Sequence, residues 1–140
     1  MIGSRIAKFE ILVCWFVIFC IPPGVTWGQV DTLDVAGILE YLSEGNAEAL
    51  VSHAEGYLEL ALLEQPRRYT RSQALYVLEK FFRQYSPDGF RLDHSMTQGE
   101  EWWLTGSYSV RDERQGLRFY LRFGGIFPEY RLMAIQVIRS

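Results

Sequence analysis

"YTRSQALYVLEKFFRQYSPDG", Tyr69 to Gly89, is the stretch that decides the fold. Thr70 is followed three residues later by Gln73, the capping-box pattern in which each side chain satisfies an orphan N–H at a helix start. Ala74, Leu78, Phe81 and Phe82 recur at helical spacing and form a stripe, with Leu75 and Tyr85 at its edges. Pro87 and Gly89 end the pattern. The spacing predicts one long amphipathic helix. A stripe with two adjacent phenylalanines needs an apolar surface to cover it.

Downstream of this helix the chain supplies such a surface. "FRLDHSMT", "EWWLTGSYSV", "GLRFYLRF" and "YRLMAIQVIRS" read as strands, joined by short turns at "QGE", "RDERQ" and "GGIFPE". Upstream, "DTLDVAGILEYLSEGN" reads as a helix carrying Val35, Ile38, Leu39 and Leu42, with Asp31 or Asp34 as its cap and Gly45 as its end. Asn46 can cap a second short helix, "AEALVSHA". "GYLELALLE" reads as a strand with Leu58, Leu60 and Leu62 on one side, and "QPRR" as a turn. The order is helices, strand, long helix, then a meander of strands. It predicts an α+β fold: a curved antiparallel sheet of four to six strands, with one long and two shorter N-terminal helices packed on one face.

The first residues read differently. "MIGSRIAKFE" carries Arg5 and Lys8, and Ile11 to Ile21 runs without a charge before Pro22 and Pro23. An apolar run of 11 residues is short for a membrane span, which needs ~20, but suits a signal-peptide core. Thr26 and Gly28 have the small-residue spacing that a signal peptidase reads. The expected boundaries are a signal peptide at 1–28 and a single domain at 29–140. An uncleaved anchor is the alternative; a lipoprotein is disfavoured because Phe19 precedes Cys20. Export to the periplasm or the cell exterior follows, with no stable membrane span after cleavage.

Both cysteines, Cys14 and Cys20, fall inside that segment. The remaining chain would hold no disulfide, thiol nucleophile or zinc–thiolate site. Of 14 basic and 17 acidic side chains, removing Arg5, Lys8 and Glu10 leaves 12 and 16, a net charge of −4. A mildly acidic domain is a poor candidate for binding nucleic acid. Two histidines, His53 and His94, without close carboxylate spacing make a weak metal site. No metal or cofactor is expected. "FGGIF" reads as hairpin geometry rather than a phosphate loop, and Arg67, Arg68 and Arg71 as a solvated basic loop.

"GNAEAL", "YLEL", "YTRSQALYVLEKFF", "LRFYLRF" and "YRLMAIQVI" together resemble the nuclear transport factor 2-like (cystatin-like roll) superfamily. More narrowly, they resemble a secreted family of unknown function from Bacteroidota. The likeness covers nearly all of the chain after the leader, and the long-helix motif is its most specific part. It implies a roll whose cavity, between helices and sheet, serves as a catalytic or ligand pocket in some members. It also implies dimerisation through the sheet face that the helices leave bare.

Hairpin geometry then assigns faces. Pairing Val110 with Leu117 sets Tyr108 against Phe119, Gly106 against Leu121 and Leu104 against Phe123. Trp102, Leu104, Tyr108, Val110, Leu117, Phe119, Leu121 and Phe123 share the apolar face. Leu132, Ala134, Gln136 and Ile138 can join it, as can Phe90, Leu92 and His94 unless that strand slips by one residue. The ligand-pocket candidates are Trp102, Tyr108, His94, Gln136 and Tyr57. The opposite face carries Trp103, Tyr120, Arg122, Met133 and Ile135, the candidate interface, with Trp103 stacked on Arg122.

An isomerase or dehydratase of this superfamily needs an Asp or His base facing a donor such as Tyr. His53, His94, Asp93, Tyr57, Tyr108 and Gln136 are the candidates, but Asp93 and His94 are strand neighbours and point to opposite faces. No catalytic set is assigned. The favoured reading is an exported, non-catalytic binding module. It would hold a small apolar or amphipathic ligand in the cavity, or a protein partner, a second copy included, on the open sheet face. The alternative is a small isomerase or dehydratase using the same cavity. If Trp102, Tyr108 and Phe119 fill that cavity, only partner binding remains.

Overall fold

The computed structural model describes residues 34–126 and 129–140. The expected signal peptide, with Cys14 and Cys20, lies outside the described residues, as does Asp31. Helix α1 spans Val35–Glu44. The Asp34 carboxylate accepts from the Gly37 N–H at its start, and Gly45 ends it at φ +68°, returning its N–H to Leu42 and Tyr41. Helix α2, Ala47–Ser52, starts on the Asn46 cap as expected. Strand β1, Tyr57–Leu62, turns into β2, Arg67–Thr70. Thr70 then caps α3, Arg71–Gln84, with both halves of the capping box in place. Strands β3 (Pro87–Gln98), β4 (Glu101–Val110), β5 (Leu117–Ile126) and β6 (Glu129–Arg139) complete the chain.

The six strands form one sheet in the order β2-β1-β6-β5-β4-β3. Every pairing is antiparallel except β1 with β6, which run parallel after α3 carries the chain across. A turn and a hairpin differ from the sequence reading. Arg67 and Arg68 belong to an edge strand and not to a turn, which is confined to Leu63–Pro66. The β4–β5 hairpin is also two residues out of the expected register: Tyr108 opposes Leu117, Gly106 opposes Phe119 and Leu104 opposes Leu121. A shift of two preserves the pleat, so every side chain keeps its expected face.

One core lies between helices and sheet. Ile38, Leu42, Leu50, Leu78, Phe81 and Phe82 from the helices meet Leu104, Tyr108, Leu117, Phe119, Leu121 and Phe123 from the sheet. Ala74, Leu78, Phe81 and Phe82 are the buried residues of α3, the stripe expected of it.

Bulges redirect two strands. In β3 the ladder skips Asp93, so Leu92 opposes Gly106 but His94 opposes Thr105. In β6 it skips Met133, so Leu132 opposes Phe123 but Ala134 opposes Arg122. An extra residue in one strand reverses the inward–outward phase beyond it. Downstream of Met133, Ile135 and Val137 therefore face the core, while Ala134, Gln136 and Ile138 do not.

Candidate functional site

The concave side of the sheet is where a roll keeps its cavity. Here it is occupied by rings. Phe119 has no exposed surface and sits at the centre. Around it are Tyr108 at 4.8 Å, Phe90 at 5.9 Å and Phe81 at 6.1 Å between ring centroids. Phe81 packs in turn on Tyr85 and Phe82, and Phe82 on Tyr108. Phe119 meets Phe81 and Phe90 edge to face and Tyr108 at a tilt, distances at which the rings are in contact and fill the space between them. Gly106 opposite Phe119 lets the Phe90 ring lie across the strand: a Cβ there would fall 2.2 Å from that ring.

The phenol that touches Phe119 is spoken for. The Tyr108 hydroxyl donates to the backbone carbonyl of Tyr85, at the C-cap of α3. Burial pushes the Tyr108 phenol well above its ordinary range. It ties helix end to sheet and is no ready acid or base. His53, which follows α2, has its backbone carbonyl bonded to the Leu132 N–H at 2.7 Å and its ring 6.0 Å from Tyr41. Burial holds its imidazole below the usual histidine value, with Asp34 opposing and Arg131 reinforcing that shift. Among the described residues, no cluster of three or more His, Cys, Asp or Glu could hold a metal ion.

The outer face of the sheet carries side chains in cross-strand rows. One row runs Met96, Trp103, Arg122, Ala134, Glu59, Arg68 across all six strands. Glu101 joins two members: its carboxylate accepts from Trp103 Nε1 and from Arg122, each at 3.2 Å. The Arg122 guanidinium also lies 5.9 Å over the Trp103 ring. Met133, displaced outward by its bulge, lies over Gly124. The next row is His94, Thr105, Tyr120, Gln136, Ala61. Beyond it, Ser107 donates to Asp93 at 2.6 Å, and this bond, seconded by Arg91, holds the Asp93 carboxyl below the usual carboxylate range. Met96, Met133 and Ile138 are exposed on this face.

Residues 35–137 match the family model described as a domain of unknown function, DUF4783. The chain belongs to the DUF4783 family. DUF4783 proteins of known structure from Bacteroides ovatus and Bacteroides uniformis superpose with a TM-score of 0.69 each, at 15% and 16% identity. They cover 75% and 76% of this chain, and the matched region spans 94% and 97% of theirs. An NTF2-like protein of unknown function from Cytophaga hutchinsonii matches at TM-score 0.53 and 10% identity, over 76% of this chain and 86% of its own. The fold is therefore the nuclear transport factor 2-like roll. No curated protein matches the chain.

Within this DUF4783 fold the expected site residues separate. Of the pocket set, Tyr108 is buried in the aromatic block. Trp102 is half-buried at one end of the core face, its Nε1 donating to Ser95 Oγ at 2.7 Å and its ring edge-on to Tyr130 at 5.5 Å. The other three are not on that face. His94 and Gln136 are carried outward by the bulges at Asp93 and Met133, and both are exposed. Tyr57, 57% exposed, points outward beneath Arg68 at 5.0 Å, because Leu58 and Leu60 take the inward positions of β1. Of the interface set, Trp103, Tyr120, Arg122 and Met133 share the outer face, whereas the Met133 bulge turns Ile135 inward, where it is buried. Met96 and Ile138 belong to the outer face and were missed. Both follow the bulges: Met96 reaches the outer face because the ladder skips Asp93, and nothing in "LMAIQVI" marks the bulge that carries Ile138 there.

Proposed function

We propose that this DUF4783 chain is an exported, non-catalytic binding module that takes a protein partner on the outer face of its sheet. One contrast carries the reading. The concave side, where a roll would hold a small ligand or do chemistry, is filled by Phe81, Phe82, Phe90, Tyr108 and Phe119. The outer side presents exposed Met96 and Met133 and half-buried Trp103 and Tyr120 on a six-stranded sheet. Aromatic, methionine and arginine side chains grouped in this way are the composition of protein interfaces. The charged, then apolar N-terminal residues support export to the periplasm or beyond, where a cysteine-free domain standing on its core needs no disulfide.

Site-specific photo-crosslinking tests this in cells that express the chain. A benzophenone side chain at Tyr120 should give discrete protein adducts, and the same group at Tyr76, exposed on α3, should not. Adducts at twice the chain's mass would identify a second copy on the face. No adduct at Tyr120, or the same adducts at Tyr76, removes the proposal.

A further inference from the structure

The sheet has two ends. β2 forms one with 4 residues and β3 the other with 12. An edge strand offers unpaired backbone donors and acceptors, and proteins blunt such edges with charge, proline, bulges or shortness. The first half of β3 has these devices: Pro87, the bulge at Asp93, and the Arg91–Asp93 ion pair at 3.3 Å. The second half, "HSMTQ" at 94–98, has none. Its residues are exposed and include no carboxylate, lysine, arginine or proline.

The register tells which backbone groups point outward. Gln98 and Glu101 close a two-residue hairpin whose first turn residue, Gly99, has φ +61°. That closing pair exchanges its hydrogen bonds, and an antiparallel ladder alternates from there. Gln98, Met96 and His94 thus bond inward to β4. Ser95 and Thr97 turn their N–H and C=O groups away from the sheet.

We propose that two copies of this chain join edge to edge through residues 94–98, antiparallel about a two-fold axis at Met96. In that register Ser95 of each copy opposes Thr97 of the other, and each such pair can exchange both backbone hydrogen bonds. Met96 meets its own counterpart in a non-hydrogen-bonded pair, where side chains come closest, and His94 meets Gln98. None of these meetings sets like charge against like, as self-pairing requires, because a charge on the axis would face its own kind. The ends are complementary in charge. The extra residue at the Asp93 bulge brings Arg91, with 81% of its side chain exposed, level with Glu100 in the turn of the other copy. The segment is its own complement, which singles out a second copy as the occupant. The result is one sheet running through both chains, with the Met96–Trp103 rows of the two outer faces continuous across the seam. It goes beyond the partner reading above and does not rest on it, since the paired edges leave both outer faces open.

Sedimentation velocity over a wide concentration range, on the chain as purified from cells that make it, should show a dimer. Thr97→Pro removes an outward N–H without breaking a bond to β4. Met96→Lys sets two ammonium groups together on the axis. Each should weaken dimerisation by about tenfold or more, with unchanged circular dichroism. Met96→Cys should form a disulfide-linked dimer on mild oxidation, absent from the parent chain. The Cα atoms of such a pair lie ~4.5 Å apart, within the ~4.4–6.8 Å that disulfides span. Gln98→Cys, off the axis, should not. Trp103→Arg should leave the dimer intact. A chain monomeric at every concentration, or a dimer indifferent to both Thr97→Pro and Met96→Lys, overturns the proposal. So does a dimer lost in Trp103→Arg alone, which would mark face-to-face association.

Discussion

Replacing Phe119 with alanine tests the claim that the roll's interior is full. Phe119 is wholly buried and touches rings from α3, β3 and β4. Losing the ring forfeits a transfer free energy of roughly 2 kcal/mol. The hole adds to this. Phe81 and Phe82 are held by the helix, Phe90 by its seat on Gly106, and Tyr108 by its bond to Tyr85, so the neighbours cannot close in freely. At about 24 cal/mol per Å³, a residual void of about 80 Å³ costs a further ~2 kcal/mol. The sum, about 4 kcal/mol, lies within the ~3–5 kcal/mol usual for buried Phe→Ala. Urea unfolding followed by circular dichroism and tryptophan fluorescence would measure it, with an unchanged m-value showing that both states keep their extent. The void should be dry and apolar, so benzene should restore part of the loss. A change below ~1 kcal/mol would mean that the space around Phe119 was never tightly filled, and the argument against an interior ligand would fall with it.

Thr70→Ala removes one half of the capping box and should cost about 1 kcal/mol, read from the same urea transitions. Gly106→Ala would drive a methyl group to within 2.2 Å of the Phe90 ring and 2.7 Å of the Arg91 carbonyl oxygen, and should destabilise by ~1–3 kcal/mol despite being the smallest change available. Burial lowers the His53 pKa, so the folded state binds its proton less readily than the unfolded one. Stability should be fully present above about pH 6.5 and decline as pH falls through the lowered folded value; His53→Gln, monitored by melting temperature across this range, should flatten that decline.

Local chemistry was legible from the sequence. The caps at Asp34, Asn46 and Thr70, the α3 stripe, and the inward residues of β4 and β5 all follow from spacing and side-chain type. Pairing was less so. Period-two alternation says which face a residue takes but not which residue it meets, and in the β4–β5 hairpin the last pair is Tyr108 with Leu117, two residues from the expected pairing. β2 was hidden because Pro66 and two arginines look like a loop, and an edge strand open to water needs no apolar residue. The bulge in β6 was invisible for another reason. In "LMAIQVI" both phases are apolar, so the inward set can pass from Leu132 to Ile135 and Val137 across the bulge without any break in pattern.

Those bulges bear directly on function. The acid–base reading needed His94 and Gln136 to share the concave face with Tyr108. One extra residue in β3 removes the first and one extra residue in β6 removes the second. Tyr108 stays inside with its proton committed to the Tyr85 carbonyl and its ionisation suppressed. Among the described residues no charged side chain is buried beside it. General acid–base chemistry needs a group poised to exchange a proton near neutral pH and a partner within reach of the same atom. Among the described residues, the groups that line the concave face do not bring such a pair together. The same two bulges add His94, Gln136 and Ile138 to the outer face and set Met96 beside Trp103. The irregularities that take His94 and Gln136 off the concave face are the ones that furnish the opposite surface, and that coupling is the strongest physical reason to look for this protein's role on the outside of its sheet.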